Sequence, residues 1–264
     1  MAPTGGIQVS MGLPIIYEKS GRLAFISMNR PETLNIFTNQ MMDSICAALK
    51  DAKDDPDINA IILKGEGEAF SSGGNIKEME EGRLASWDMK QHLWDHVQRV
   101  ALCLEDMDKP VIASIDGPAF GGGFDLTLAC DLRIAAERAT FCATFVRIGL
   151  APGNGGAWFL PRIIGQSKAL DILLTGRVVE ADEALKIGLV DRVVPSEKLA
   201  EETQKYAMEI ACWPIASVRA IKRAVYNGFK SDLRGHLDYM SSQLALLTQT
   251  NEHREAVRKF IEKD

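Results

Sequence analysis

The chain has 264 residues, 46% of them hydrophobic, enough to bury one well-packed domain with an appendage. A formal charge of -6 argues against a nucleic-acid partner, because phosphate binding needs clustered Lys and Arg, although local basic residues could still hold a small phosphorylated cofactor. Five cysteines, Cys46, Cys103, Cys130, Cys142 and Cys212, show no paired spacing of a zinc or redox motif and read as thiols in a reducing compartment.

The opening MAPTGGIQVSMGLP lacks the basic stretch and long apolar run of a signal peptide, and no later apolar segment approaches a membrane span, so a cytoplasmic address is expected. Residues 14–19 and 22–28 are rich in β-branched and aromatic side chains around a Ser-Gly pair, which predicts an antiparallel hairpin. After the polar NRPETLN loop, Thr38 is a predicted N-cap for a helix running toward Lys53, with Met41, Ile45 and Leu49 on its apolar face. Residues 58–64 read as a buried strand and 87–107 as a helix, ended by Lys109-Pro110. Strands are predicted at 111–115 and 132–135, with a glycine-rich loop at 116–125 and a helix-like LTLACDL between them. From Gly165 the pattern is almost wholly helical, interrupted by a strand over 188–194, and Pro214 separates two of the last helices. Repeated strand, strand, helix units followed by a helical tail make an α/β arrangement. Residues 1–200 are the expected catalytic core and 201–264 a helical region that packs on a partner subunit or on its own domain.

Two glycine segments follow strands: FSSGGNIKEM at 70–79 and DGPAFGGGFD at 116–125. Glycine lets backbone approach a ligand closely, and a helix start presents free N–H donors. Phosphate binding is one use, but the GGG run lacks the Lys-Ser/Thr ending of a P-loop and the spacing of a dinucleotide fingerprint. An oxyanion hole is the second, and a plain tight turn the third.

IASIDGPAFGGGFDLTLACDL closely resembles the enoyl-CoA hydratase/isomerase (crotonase) signature, and NRPETLNIF, FSSGGNIKEM, IGLAPGNGGAWFLPRIIG, LTGRVVEADEALKIGLVDRVVP and KFIEK look like that family in the same order. The resemblance implies a crotonase-like spiral of β-β-α units with a C-terminal helical trimerisation region, assembled as a homotrimer or a dimer of trimers. It implies that the N–H groups of Gly74 and Gly122 form an oxyanion hole. It also implies that Asn35, Ser72, Ile76 and Lys77 border the coenzyme A of an acyl-CoA substrate, with Phe260 and Lys263 at its adenine end. No metal or permanently bound cofactor is expected.

Hydratases of the family place a Glu at each of two positions, which here hold Asp125 and Phe145. Some of its isomerases use an Asp in the later glycine loop, where this chain has Gly153 and Asn154. Asp125 is therefore the one carboxylate at a recognised catalytic position, and a drier pocket beside Phe145 should raise its pKa toward that of a useful base. One carboxylate can carry a proton between carbons of an enoyl-CoA, so isomerisation fits; hydration with Asn154 positioning water fits as well. Other enolate chemistry (thioester hydrolysis, decarboxylation, condensation) and a CoA-ester-binding protein with little catalysis remain alternatives.

Phe145, Asn154 and Trp158 are expected pocket residues, with Phe159 extending an aromatic wall, and Trp87 and Trp94 are read as core or acyl-pocket lining. Asp116 is read as a turn or cap residue and Asp131 as the anchor of a strand start. His92 and His96 share a helix face without an evident third metal ligand.

Overall fold

The computed structural model describes residues 13–76, 80 and 86–262. The expected hairpin is present as β1 (Ile15–Ser20) and β2 (Leu23–Met28), with Ser20 opposite Leu23 and Gly21 carrying the turn at φ 57°. Thr38 caps α1 (Asn39–Asp54), its hydroxyl accepting from the Met41 N–H at 3.2 Å, and Met41, Ile45 and Leu49 are buried as the pattern predicts. After β3 (Ala60–Gly65), the stretch read as one helix is broken into α2 (Ser86–His92), a π-helical turn (Leu93–Val97) and α3 (Gln98–Glu105).

Beyond β4 (Val111–Ile115), the expected glycine loop holds more structure than predicted. It contains β5 (Pro118–Phe120), and α4 (Gly122–Ala129) starts inside the glycine run itself. Then follow β6 (Leu132–Ala136), β7 (Thr140–Cys142), α5 (Gly156–Ile164), α6 (Gln166–Thr175), β8 (Val178–Glu180), α7 (Ala181–Lys186) and β9 (Arg192–Val194). The chain ends in α8 (Leu199–Ala211), α9 (Ile215–Gly228), α10 (Leu233–Leu247) and α11 (Asn251–Ile261).

The larger sheet has the order β1-β2-β3-β4-β6-β9, parallel throughout except for the hairpin; β5, β7 and β8 form a second sheet. Successive side chains in a strand face opposite ways. Ala24, Ile26, Met28, Ile61, Leu63, Val111 and Ala113 therefore join the main core between the sheets and α1, α3 and α4. Leu23, Ala60, Ile62, Ile112 and Ile134 face the other way and are covered by Leu199, Ala207 and Ala211 of α8. Burial on both faces is what parallel sheets need.

Asp131 anchors the start of β4, as its position suggested, and also ties α9 to the core. Its carboxylate accepts from the Val111 N–H (2.7 Å), Lys222 Nζ (2.6 Å) and the Tyr226 hydroxyl (2.7 Å). Lys222 and Asp131 are both largely buried, so removing one partner strands the other. Asp131→Ala is expected to lower stability by about 3 kcal/mol or more, measured by urea unfolding. Asp116 is held by Arg138 through a bidentate pair at 2.6 and 2.8 Å. Among the described residues, no helix is long and apolar enough to cross a membrane.

Candidate active site

The two glycine segments meet because a short backbone pairing aligns them. Ser71 bridges Ala119 in parallel: its N–H donates to the Pro118 carbonyl (3.2 Å), and its own carbonyl accepts from the Phe120 N–H (2.9 Å). This pairing lays Gly73 against the start of α4. A Cβ on Gly73 would come within 2.6 Å of the Gly122 nitrogen and 2.8 Å of the Phe120 carbonyl, and φ is 81°, so space and conformation both demand glycine. Gly74, the next residue, is exposed. Gly122 opens α4, where the N–H has no intrahelical partner and the helix dipole adds positive potential.

The loop before this pairing is held from inside. Asn35 Oδ1 accepts from the Arg30 N–H, and its Nδ2 donates to the carbonyls of Glu66 and Ala69, all at 2.9 Å. Asn35, which the resemblance implied at the border of the coenzyme A, is fully buried, and its side chain fastens the loop. Ser72 donates both its N–H (2.9 Å) and its hydroxyl (3.2 Å) to the Leu34 carbonyl, and the Gly73 carbonyl accepts from the Phe37 N–H at 2.8 Å. Phe37 then stands beside Gly122, where an added Cβ would meet its ring at 2.9 Å and Asn154 Nδ2 at 2.8 Å. Phe37, Asn154 and Gly122 share a small apolar cavity with Met42, Val97, Val100 and Leu126.

Asp125 lies in the first turn of α4 and is fully buried. It points at the start of α5: Oδ2 accepts from the Asn154 N–H at 3.2 Å, while Oδ1 has no hydrogen-bond partner. Gly156 packs so closely that a Cβ there would collide with Oδ1. Burial pushes the Asp125 carboxyl up to about 7, against the pull of the Asn154 and Gly156 amides, which favour the charged form. Asp125 does not line the cavity shared by Gly122 and Asn154. Asn154 joins the two places, with its N–H on Asp125, its carboxamide over Gly122, and a buried Oδ1 that lacks a partner.

Not every expected residue is brought here. Trp158 lies half-exposed under the Arg162 guanidinium, 3.2 Å from its ring centre, in a separate groove with Trp213, Val225 and Phe229. It does not wall the Gly122 cavity. Phe145 packs against the main core from the short turn Thr144–Ile148, with Phe159 also at the core edge. Ile76 is exposed and Phe260 is exposed on α11; Lys77 and Lys263 lie outside the described residues. Trp87 and Trp94 are both exposed. His96 pairs with Asp43 (3.0 Å), and among the described residues no group of three or more His, Cys, Asp or Glu could hold a metal.

Sequence reading missed Phe37, Gly73, Gly156 and Gln98. Gln98 Nε2 donates to the Gly153 carbonyl at 2.7 Å and so fixes the Asn154 loop. Gly73 and Gly156 had a visible signal, each in a doubled glycine, and Phe37 closes the NRPETLNIF segment; Gln98 depends on a contact distant in sequence.

The family model described as enoyl-CoA hydratase/isomerase matches residues 18–264. A probable enoyl-CoA hydratase of Mycobacterium tuberculosis is 37% identical over 251 residues, covering 94% of this chain and 95% of that protein. The crotonyl-CoA hydratase of Syntrophomonas wolfei is 35% identical over 250 residues, covering 94% and 95%. Among solved structures, an enoyl-CoA hydratase from Bacillus anthracis superposes with a TM-score of 0.90 at 32% identity, covering 95% of this chain and 96% of that one.

Proposed function

The chain belongs to the enoyl-CoA hydratase/isomerase family and has its fold, and from that membership we propose that it acts on an enoyl-CoA thioester through an enolate, by hydration or double-bond isomerisation. The observation that carries this reading is the contact of the two glycine segments, with the Gly122 nitrogen against Gly73 and the Gly74 amide one peptide bond away. In the proposed reaction the N–H groups of Gly74 and Gly122 receive the thioester oxygen as it becomes negative, and Asp125 moves the proton. The unpaired Oδ1 of Asn154 supports hydration, because a buried acceptor beside Gly122 can orient a water. The relatives named as hydratases point the same way. Isomerisation is the second reading: one carboxylate takes a proton from the α-carbon and returns it to the γ-carbon, and among the described residues no other carboxylate acts on Asp125.

The coenzyme A moiety would lie along Ser72, Ile76 and Lys77, with Phe260 and Lys263 toward its adenine. Its site of action is the cytoplasm. A panel of straight-chain and cyclic enoyl-CoAs tests the reading spectrophotometrically. Loss of the conjugated-thioester absorbance means hydration, and its appearance from a 3-enoyl-CoA means isomerisation. Release of free thiol would replace both with hydrolysis, and tight CoA-ester binding without turnover would leave a binding protein.

Residues 201–264 act in this reading as the oligomerisation region of a homotrimer or a pair of trimers. α10 and α11 bury no residue, and Leu233, Leu237, Leu246 and Phe260 stand exposed on them. Sedimentation equilibrium is expected to give three or six times the 29.0 kDa chain mass; a stable monomer at micromolar concentration would refute the assembly.

A further inference from the structure

Cys46 and Cys103 are far apart in sequence but come from helices packed on each other, α1 and α3. Both line one open cavity of about 490 Å³, together with Lys50, Lys53, Arg99 and Asp106. Cys46 is buried and Cys103 partly exposed to that cavity. Each thiol perturbs the other's titration, and beside Cys46 the Cys103 thiol is held below the ordinary cysteine range. For Cys103 the Cys46 thiol is the first cause; burial and Asp106 oppose it, and Arg99 and Lys53 assist.

We propose that Cys46 and Cys103 form a peroxide-reactive dithiol site, with Cys103 as the attacking and Cys46 as the resolving sulfur. The cavity gives a molecule as small as hydrogen peroxide a way in, and of the charges at its wall Lys50, Lys53 and Arg99 favour a thiolate there while Asp43, Asp54 and Asp106 oppose it. The Cys103 thiolate attacks one peroxide oxygen, the O–O bond breaks, hydroxide leaves, and Cys103 becomes a sulfenic acid. Cys46 then attacks that sulfur: the S–S bond forms, its proton joins the departing hydroxyl, and water leaves. Two sulfurs are oxidised together by two electrons and one peroxide is reduced to water. A dithiol reductant reverses the bond by exchange. The other cysteines have no such arrangement: Cys130 and Cys142 are buried, with burial raising both thiols, and Cys212 is exposed at the end of α8.

Folded protein treated with hydrogen peroxide, alkylated, digested and examined by mass spectrometry tests this. The expected result is a peptide pair joined through Cys46 and Cys103, lost on treatment with dithiothreitol. In Cys46→Ser, Cys103 is expected to be trapped as a sulfenic acid by dimedone. In Cys103→Ser, Cys46 is expected to stay alkylatable for at least ten times longer. Irreversible oxidation of Cys103 with Cys46 still free in the wild type would overturn the proposal. So would oxidation confined to Cys212, or a Cys103→Ser protein whose Cys46 oxidises as fast as before. Both serine variants are near-isosteric, and a circular dichroism spectrum matching the wild type establishes that each is folded before it is read.

Discussion

Asp125→Asn is expected to reduce turnover of an enoyl-CoA by on the order of a hundredfold to ten-thousandfold and, at pH 8, to make the folded protein more stable. Both effects follow from burial. The Asp125 carboxyl is raised from 3.8 to about 7. Between these values the unfolded chain is ionised while the folded one keeps its proton, so folding takes up a proton and stability declines as pH rises. The favourable contribution is complete below the unfolded pKa and lost by the time pH passes the folded one. Above pH 7 the penalty for holding the ionised carboxylate amounts to about 4 kcal/mol as an order of magnitude. Asn carries no charge and escapes that penalty, so its advantage should be largest at pH 8 and vanish near pH 4. Urea unfolding at several pH values reads this, and kcat/KM of the wild type should rise with an apparent pKa near 7, a limb the variant lacks. A variant that is inactive but destabilised at pH 8 would instead assign Asp125 to holding the start of α5, where it accepts the Asn154 N–H.

Gly122→Pro is expected to lower turnover by roughly a hundredfold or more, since it deletes a donor from the place where charge develops. Proline suits the first position of a helix, so α4 need not unwind. The complication is steric, because any side chain at 122 meets Asn154 and Phe37. Gly122→Ala keeps the N–H and suffers the same crowding, so the loss from alanine to proline isolates the donor. If the two variants are equally active, the Gly122 amide has no role in the reaction. Circular dichroism of both proteins distinguishes that outcome from misfolding.

Much of the frame was legible because it rests on local chemistry. The near-continuous apolar runs of β2, β3 and β4 mark strands with two buried faces, and Thr38 with Met41, Ile45 and Leu49 marks a capped amphipathic helix. β5, β7 and β8 were missed because each holds three residues, too few to show a period. Asn35 shows the harder limit. A polar residue in a loop beside a glycine segment reads as a ligand contact, yet its amide serves carbonyls at Glu66 and Ala69 that only the tertiary fold brings near. Trp158 meets the same limit, since nothing along the chain tells which of two cavities an aromatic side chain will face. Asp125 lay on the opposite side of that divide: its spacing from the glycine run was visible, but its closeness to Gly156 was not.

The wide turn at Leu93–Val97 sets the phase of the whole segment. It accommodates one more residue than an α-helical path would, and it delivers Leu93 to Gly153, His96 to Asp43 and Val97 to the cavity beside Gly122. A chain shortened by one residue there would wind as an unbroken α-helix, with the segments before and after it near their present phase, because the wide turn already absorbs the extra residue. Ser86–His92 would keep the side it presents to the protein, while Leu93, His96 and Val97 would lose the placement the wide turn gives them, so a single-codon deletion would remodel the wall beside Asn154 and little else.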